Sequence, residues 1–170
     1  MTKPLPADSP GLSHVEIQAE PVDAAPSVAR DIGRGVARLL NAHAMASIEE
    51  LPLPDGHRAD VVGLGPDGRI IIVEIKSGLA DLAADRKWPA YRAYCDALYF
   101  AVAPSFPIAA LPGDTGIILA DRFGGAFERP APDHPLAAAR RKAMTLRFAR
   151  VSAARLQSAR DPNWREPAIE

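Results

Sequence analysis

Apolar positions recur at helical spacing early in the chain, where Ile32, Val36, Leu39 and Leu40 form one face of a helix expected to start at Ser27, a good N-cap, with Asp31 in its first turns. The period then changes. Residues 44–53 read as a strand that carries Glu49 and Glu50 near its end and leaves through Pro52 and Pro54. The runs Val61-Val62-Gly63-Leu64 and Ile70-Ile71-Ile72-Val73 are apolar on both parities and flank the turn sequence Gly65-Pro66-Asp67-Gly68. Such runs predict strands covered on both faces. Residues 79–96 return to a helical pattern, with Pro89 opening a second helical piece after a break near Lys87-Trp88. A buried strand over 97–103, a short strand over 116–120, an edge strand over 122–128 and a long helix over 135–159 complete the order. The prediction is an α/β fold, a mixed central sheet flanked by helices and closed by a long C-terminal helix. Residues 1–26, with five prolines, read as a loosely attached arm. Residues 27–160 read as one domain and 161–170 as a tail.

Charges interrupt this pattern at the ends of the buried hairpin. If the turn is centred on Asp67, Leu64 pairs with Ile70 and Val62 with Ile72, so Asp60 faces Glu74 and Arg58 faces Lys76. Opposed residues share a face of the sheet, and so do residues two apart, which would bring all four side chains to one patch. Two opposed carboxylates in a medium of low dielectric repel. A divalent cation offsets that repulsion, and oxygen ligands of this kind suit Mg²⁺ or Mn²⁺, which keep several waters. An ammonium two residues beyond Glu74 suits the orientation of water or the stabilisation of charge on a phosphate. On a surface hairpin the same residues would form solvated ion pairs worth about 0–1 kcal/mol; the lack of alternation argues for the buried alternative.

Composition narrows the class. One cysteine, Cys95, excludes an internal disulfide framework and a cysteine-rich zinc site, and fits a reducing compartment. No apolar stretch long enough to span a bilayer and no signal peptide are evident, so the expected location is the cytoplasm, with no membrane partner. A net charge of −1 is uninformative alone, but residues 134–160 carry Arg140, Arg141, Lys142, Arg147, Arg150, Arg155 and Arg160 and no acid. That helix suits a polyanion. Arginine outnumbers lysine sixteen to four throughout, which weakens the helix as evidence. Lys87 is either a phosphate contact or part of a solvated face with Asp85 and Arg86. Trp88, Tyr91, Tyr94 and Cys95 fall at spacings that predict packing between helix and sheet.

The segment Arg58-Ala59-Asp60, thirteen residues, then Glu74-Ile75-Lys76, resembles the PD-(D/E)XK nuclease signature. The predicted order of helix, three strands, helix and strand is similar to the αβββαβ core of that restriction-endonuclease-like superfamily. More closely, Ile72-Val-Glu-Ile-Lys-Ser77, Asp85-Arg-Lys-Trp-Pro89, Tyr94-Cys-Asp96 and Tyr99-Phe-Ala-Val102 resemble the MmcB-type DNA repair family, as does the late stretch from Arg140 to Ala149. The resemblance implies a DNA repair role and metal-dependent endonuclease activity on damaged or structured DNA. Asp60, Glu74 and the Ile75 carbonyl would then hold Mg²⁺ or Mn²⁺, and Lys76 would orient water. Arg58, Lys87, Arg140, Arg141, Lys142 and Arg147 are the DNA-binding candidates. Ala59 replaces the signature proline, which contributes no ligand. The acid that many relatives carry on the first helix is matched only by Asp31, a capping or dipole residue, so Glu50 is the better substitute. The resemblance also admits a homodimer, other repair proteins as partners, and the alternative of a non-catalytic DNA-binding or repair-scaffold protein.

Overall fold

The computed structural model describes residues 28–161 together with Asn163 and Trp164. The expected N-terminal arm, the Ser27 cap and most of the expected tail lie outside the described residues. Within them the order is α1 (Val28–Ala42), β1 (Ala46–Pro52), β2 (Arg58–Leu64), β3 (Ile70–Lys76), α2 (Leu79–Ala84), a 3₁₀ helix (Trp88–Tyr94), β4 (Ala97–Val102), a 3₁₀ turn (Ile108–Ala110), β5 (Gly116–Asp121), β6 (Gly124–Arg129) and α3 (Ala138–Arg160).

The strands form one six-stranded sheet in the order β1-β2-β3-β4-β5-β6. β1, β2 and β3 are antiparallel neighbours, β3-β4 and β4-β5 are parallel, and β5-β6 is antiparallel. The two parallel joins need crossovers, supplied by α2 with the 3₁₀ helix and by the 103–115 segment. The β2-β3 hairpin has the register expected of a turn centred on Asp67, with Leu64 opposite Ile70 and Val62 opposite Ile72. Gly68 sits at φ +80°, where a side chain would strain the turn.

Both sheet faces are covered, which explains why the central strands do not alternate. On one face α1 packs Ile32, Val36, Leu39 and Leu40 over Val61, Ile71, Val73, Ala101 and Ile118. Helix and sheet come so close there that a Cβ on Gly35 would lie 2.1 Å from the Asp121 carbonyl oxygen. On the other face α3 contributes Met144, Phe148 and Val151, and the 3₁₀ helix contributes Tyr91, against Ile48, Val62, Ile72 and Leu98. Trp88 meets Phe100 edge-on at 5.5 Å, the packing role its spacing predicted.

Two boundaries differ from the sequence pattern by more than two residues. The expected second helix stops at Ala84, Asp85 is extended, and the piece opened by Pro89 is a 3₁₀ helix rather than α. The last helix begins at Ala138, because its lead-in is held elsewhere: His134 N–H donates to the Asp96 carbonyl and Leu136 N–H to the Asp96 carboxylate. Asp96, 3% exposed, also accepts from Ile70 N–H at 2.8 Å and from both terminal nitrogens of Arg141 at 2.7 and 2.6 Å. Burial acts to raise its pKa, but the Arg141 and backbone hydrogen bonds outweigh burial and hold it at about 2. This one carboxylate joins the starts of β3, β4 and α3. No helix among the described residues is long and apolar enough to cross a membrane.

Candidate active site

Two interrupted ladders create the site. The β1-β2 pairing runs from Ala46 opposite Leu64 to Glu49 opposite Val61, then resumes at Leu51 opposite Ala59. Glu50 is passed over, at φ +54°. The β2-β3 pairing ends at Val61 opposite Val73. Asp60 therefore sits on a central strand at a point where neither neighbour pairs with it, and its polar groups turn to side-chain partners. Asp60 N–H donates to Glu74 Oε1 at 3.4 Å, and Ile75 N–H donates to Asp60 Oδ2 at 2.8 Å.

Around this junction lies a cleft of about 1150 Å³. Asp60, Glu74, Ile75 and Lys76 line its interior, with Glu50, His57, Asp85, Arg86 and Lys87 also on its walls. Glu74 is 1% exposed. Burial, and then repulsion from Asp60, push its pKa up to about 8. Burial also raises the pKa of Asp60. Lys76 Nζ lies 2.6 Å from Asp85 Oδ2 and 3.7 Å from Glu74 Oε2. Burial acts to lower the Lys76 pKa, but the Asp85 hydrogen bond and Glu74 outweigh it, so the ammonium is held above its usual range. Burial likewise works against Asp85, whose bonds from Lys76 and the Lys87 amide bring it below the usual carboxylate range.

The carboxylate pair suits a hard cation on chemical grounds, because its two acids disfavour joint ionisation where they stand. Among the described residues, however, no group of three or more His, Cys, Asp or Glu is arranged to hold a metal ion. Of the acids that line the cleft, Asp85 is engaged by Lys76, Glu50 by Arg58 and Asp81 by Ser77, while Asp60 and Glu74 stand in contact with each other and Glu49 lines the cleft as well.

Of the four residues that the register was expected to gather, the structure brings Asp60, Glu74 and Lys76 together, with Ile75 beside them, but Arg58 departs from them. It pairs with Pro52 across β1-β2, its side chain is 67% exposed, and it forms an ion pair with Glu50. The ladder break at Asp60 removes the alignment that would have set it opposite Lys76. Asp31 lies in the first turn of α1 and does not line the cleft. Lys87 is exposed at the cleft wall, its ammonium 5.9 Å above the Tyr91 ring. Arg140 and Lys142 are exposed on α3. Arg141 is tied to Asp96 and to the Gly68 carbonyl, so its charge is spent inside the fold. Arg147 reaches the Pro52 carbonyl at 3.4 Å.

Sequence reasoning missed two residues here. Asp85 is not on a solvated face; its side chain is 5% exposed, and it is the partner of Lys76 nine residues away. Asking what balances a lysine at the end of a buried strand could have found it. Arg155 donates to the carbonyls of Glu49 and Glu50, supporting the backbone where Glu50 takes its positive φ. No local signal marks a partner 105 residues away.

The fold and cleft define a mixed α/β protein with a carboxylate-lysine site at the junction of its first three strands. The chain belongs to the MmcB-like DNA repair protein family, whose model matches residues 19–163. Membership points to a role in DNA repair. Among solved structures the chain is similar to the SPO1766 protein of unknown function from Silicibacter pomeroyi, with 43% identity and a TM-score of 0.79 over 88% of this chain and 100% of that one. No curated protein matches.

Proposed function

We propose that the protein is a metal-dependent endonuclease of DNA repair that hydrolyses phosphodiester bonds in damaged or structured DNA. The observation that carries this reading is the meeting of Asp60 and Glu74 at the broken ladders, with the Lys76 ammonium 3.7 Å from Glu74 inside an open cleft. The resemblance to the PD-(D/E)XK signature supports it. Bound Mg²⁺ or Mn²⁺ would supply the positive charge that offsets both carboxylates and polarises the scissile phosphate. Asp60 and Glu74, with the Ile75 carbonyl, would hold the cation. Lys76 would orient the attacking water and stabilise charge building on the phosphate oxygens. Arg86 and Lys87, on the wall of the same cleft, suit the flanking phosphates. Catalysis of this kind rests on positioning and charge, with no covalent enzyme intermediate.

A second reading, a DNA-binding scaffold that keeps the nuclease fold, is favoured by one observation: among the described residues no group of three or more His, Cys, Asp or Glu is arranged to hold a metal ion, and Asp85 and Glu50 are engaged by Lys76 and Arg58. Incubation with labelled single-stranded, duplex, nicked and branched DNA in Mg²⁺ and in Mn²⁺ separates the two. Cleavage by the wild type that is abolished in Asp60→Asn and in Lys76→Ala, with circular dichroism unchanged, is the expected result. Undiminished cleavage in both variants would remove these residues from the mechanism, and binding without cleavage on every substrate would establish the scaffold.

A further inference from the structure

Lys76 takes its nearer partner from outside the Asp60-Glu74 pair. The ammonium is 2.6 Å from Asp85 Oδ2 but 3.7 Å from Glu74 Oε2, beyond hydrogen-bond distance. Asp85 is itself fixed at two points, because its other oxygen accepts from the Lys87 amide at 2.9 Å. Both Lys76 and Asp85 are 5% exposed, so water does little to loosen the pair. Without Asp85, the nearby carboxylate open to the ammonium is Glu74. A direct Lys76-Glu74 pair would occupy a Glu74 oxygen and cancel the charge that a cation needs.

We propose that Asp85 is a positioning residue: by binding Lys76 Nζ it keeps the ammonium off Glu74 and leaves Glu74 open to a divalent cation beside Asp60. This rests on the metal-dependent reading of the cleft. It also gives α2 and its exit a purpose, since the chain leaves the helix at Asp85 in extended form and delivers this carboxylate back toward the end of β3.

Asp85→Asn tests the idea with little steric change. The amide oxygen can go on accepting from the Lys87 N–H, which turns the amide NH₂ toward Lys76, and two donors repel. A crystal structure of the variant should show Lys76 Nζ moved to about 3 Å from Glu74 Oε2. Calorimetric titration with Mn²⁺ should show affinity lowered about tenfold or more from that of the wild type. In a Lys76→Met background, Asp85→Asn should change Mn²⁺ affinity little, because the group it acts through is gone. An equal loss in both backgrounds would make Asp85 a direct ligand or a structural prop and would overturn the proposal. So would an ammonium that stays in place. A wild type that takes up no Mn²⁺ would fail the metal reading and the role of Asp85 with it, whereas a wild type that binds Mn²⁺ as tightly as Asp85→Asn would fail this proposal alone.

Discussion

Replacing Glu74 by Gln should make the protein more stable, and only above a definable pH. The carboxyl titrates near 4.5 when exposed and at about 8 in the fold, raised first by burial and then by Asp60. A raised carboxyl pKa means that the folded state holds its proton while the unfolded state has lost it. Stability is therefore complete below pH 4.5, falls as pH rises toward 8, and is then level. At about 1.36 kcal/mol per pH unit, the cost above pH 8 is on the order of 5 kcal/mol. Gln matches the shape of the protonated acid and never ionises, so it escapes that cost. For a domain of this size each kcal/mol shifts Tm by roughly 2–4 °C. Thermal melts followed by circular dichroism in EDTA should thus coincide for wild type and Glu74→Gln near pH 5, and the variant should melt on the order of 10 °C higher at pH 9. Excess Mn²⁺ at pH 8 should close the gap by raising the wild type alone, since a ligand that binds the folded form stabilises it. Parallel Tm curves across the whole pH range would refute the burial argument. A wild type that gained on the variant with rising pH would reverse its sign.

The arginines of α3 should separate by function. Arg141→Ala leaves the buried Asp96 carboxylate without its cation and should cost about 3–5 kcal/mol by urea unfolding, while Arg140→Ala and Lys142→Ala should leave stability within about 0.5 kcal/mol. If α3 contacts DNA, each of those two exposed substitutions should reduce the salt dependence of binding by about one phosphate contact, measured by fluorescence anisotropy from 50 to 200 mM salt; unchanged slopes would place DNA elsewhere. Gly35→Ala sets a Cβ 2.1 Å from the Asp121 carbonyl and 2.5 Å from that of Gly124, both backbone atoms with little room to shift. A loss of about 3 kcal/mol or more is expected, and a near-neutral effect in the same unfolding assay would show that α1 can slide on the sheet.

The order of elements and the hairpin register were legible because they follow from local chemistry: apolar runs on both parities, a Gly-Pro-Asp-Gly turn and the apolar spacing of α1. The placement of Asp60 beside Glu74 came from the same register. What escaped was set by partners distant in sequence. Arg58 would have faced Lys76 had the ladder continued, but the break at Asp60 released it to Glu50. Arg141 looked like one more basic residue on a basic helix; only the fold reveals that Asp96, 45 residues earlier, claims it. The division of residues 79–96 was visible in Pro89, yet the 3₁₀ geometry of its second piece was not, because propensity does not distinguish short 3₁₀ from α turns.

The clamp of Arg155 on the Glu49 and Glu50 carbonyls has a consequence in time. Arg155 is made 105 residues after Glu50. At about 5–20 residues per second of synthesis, roughly 5–20 s separate the two. Throughout that interval the strand bearing Glu50 has no guanidinium to hold its left-handed turn, so the wall of the cleft takes its final shape after the sheet's central strands have left the ribosome. The same late helix carries Met144, Phe148 and Val151, so a nascent chain of this protein completes the α3 side of its core and this wall of its cleft together.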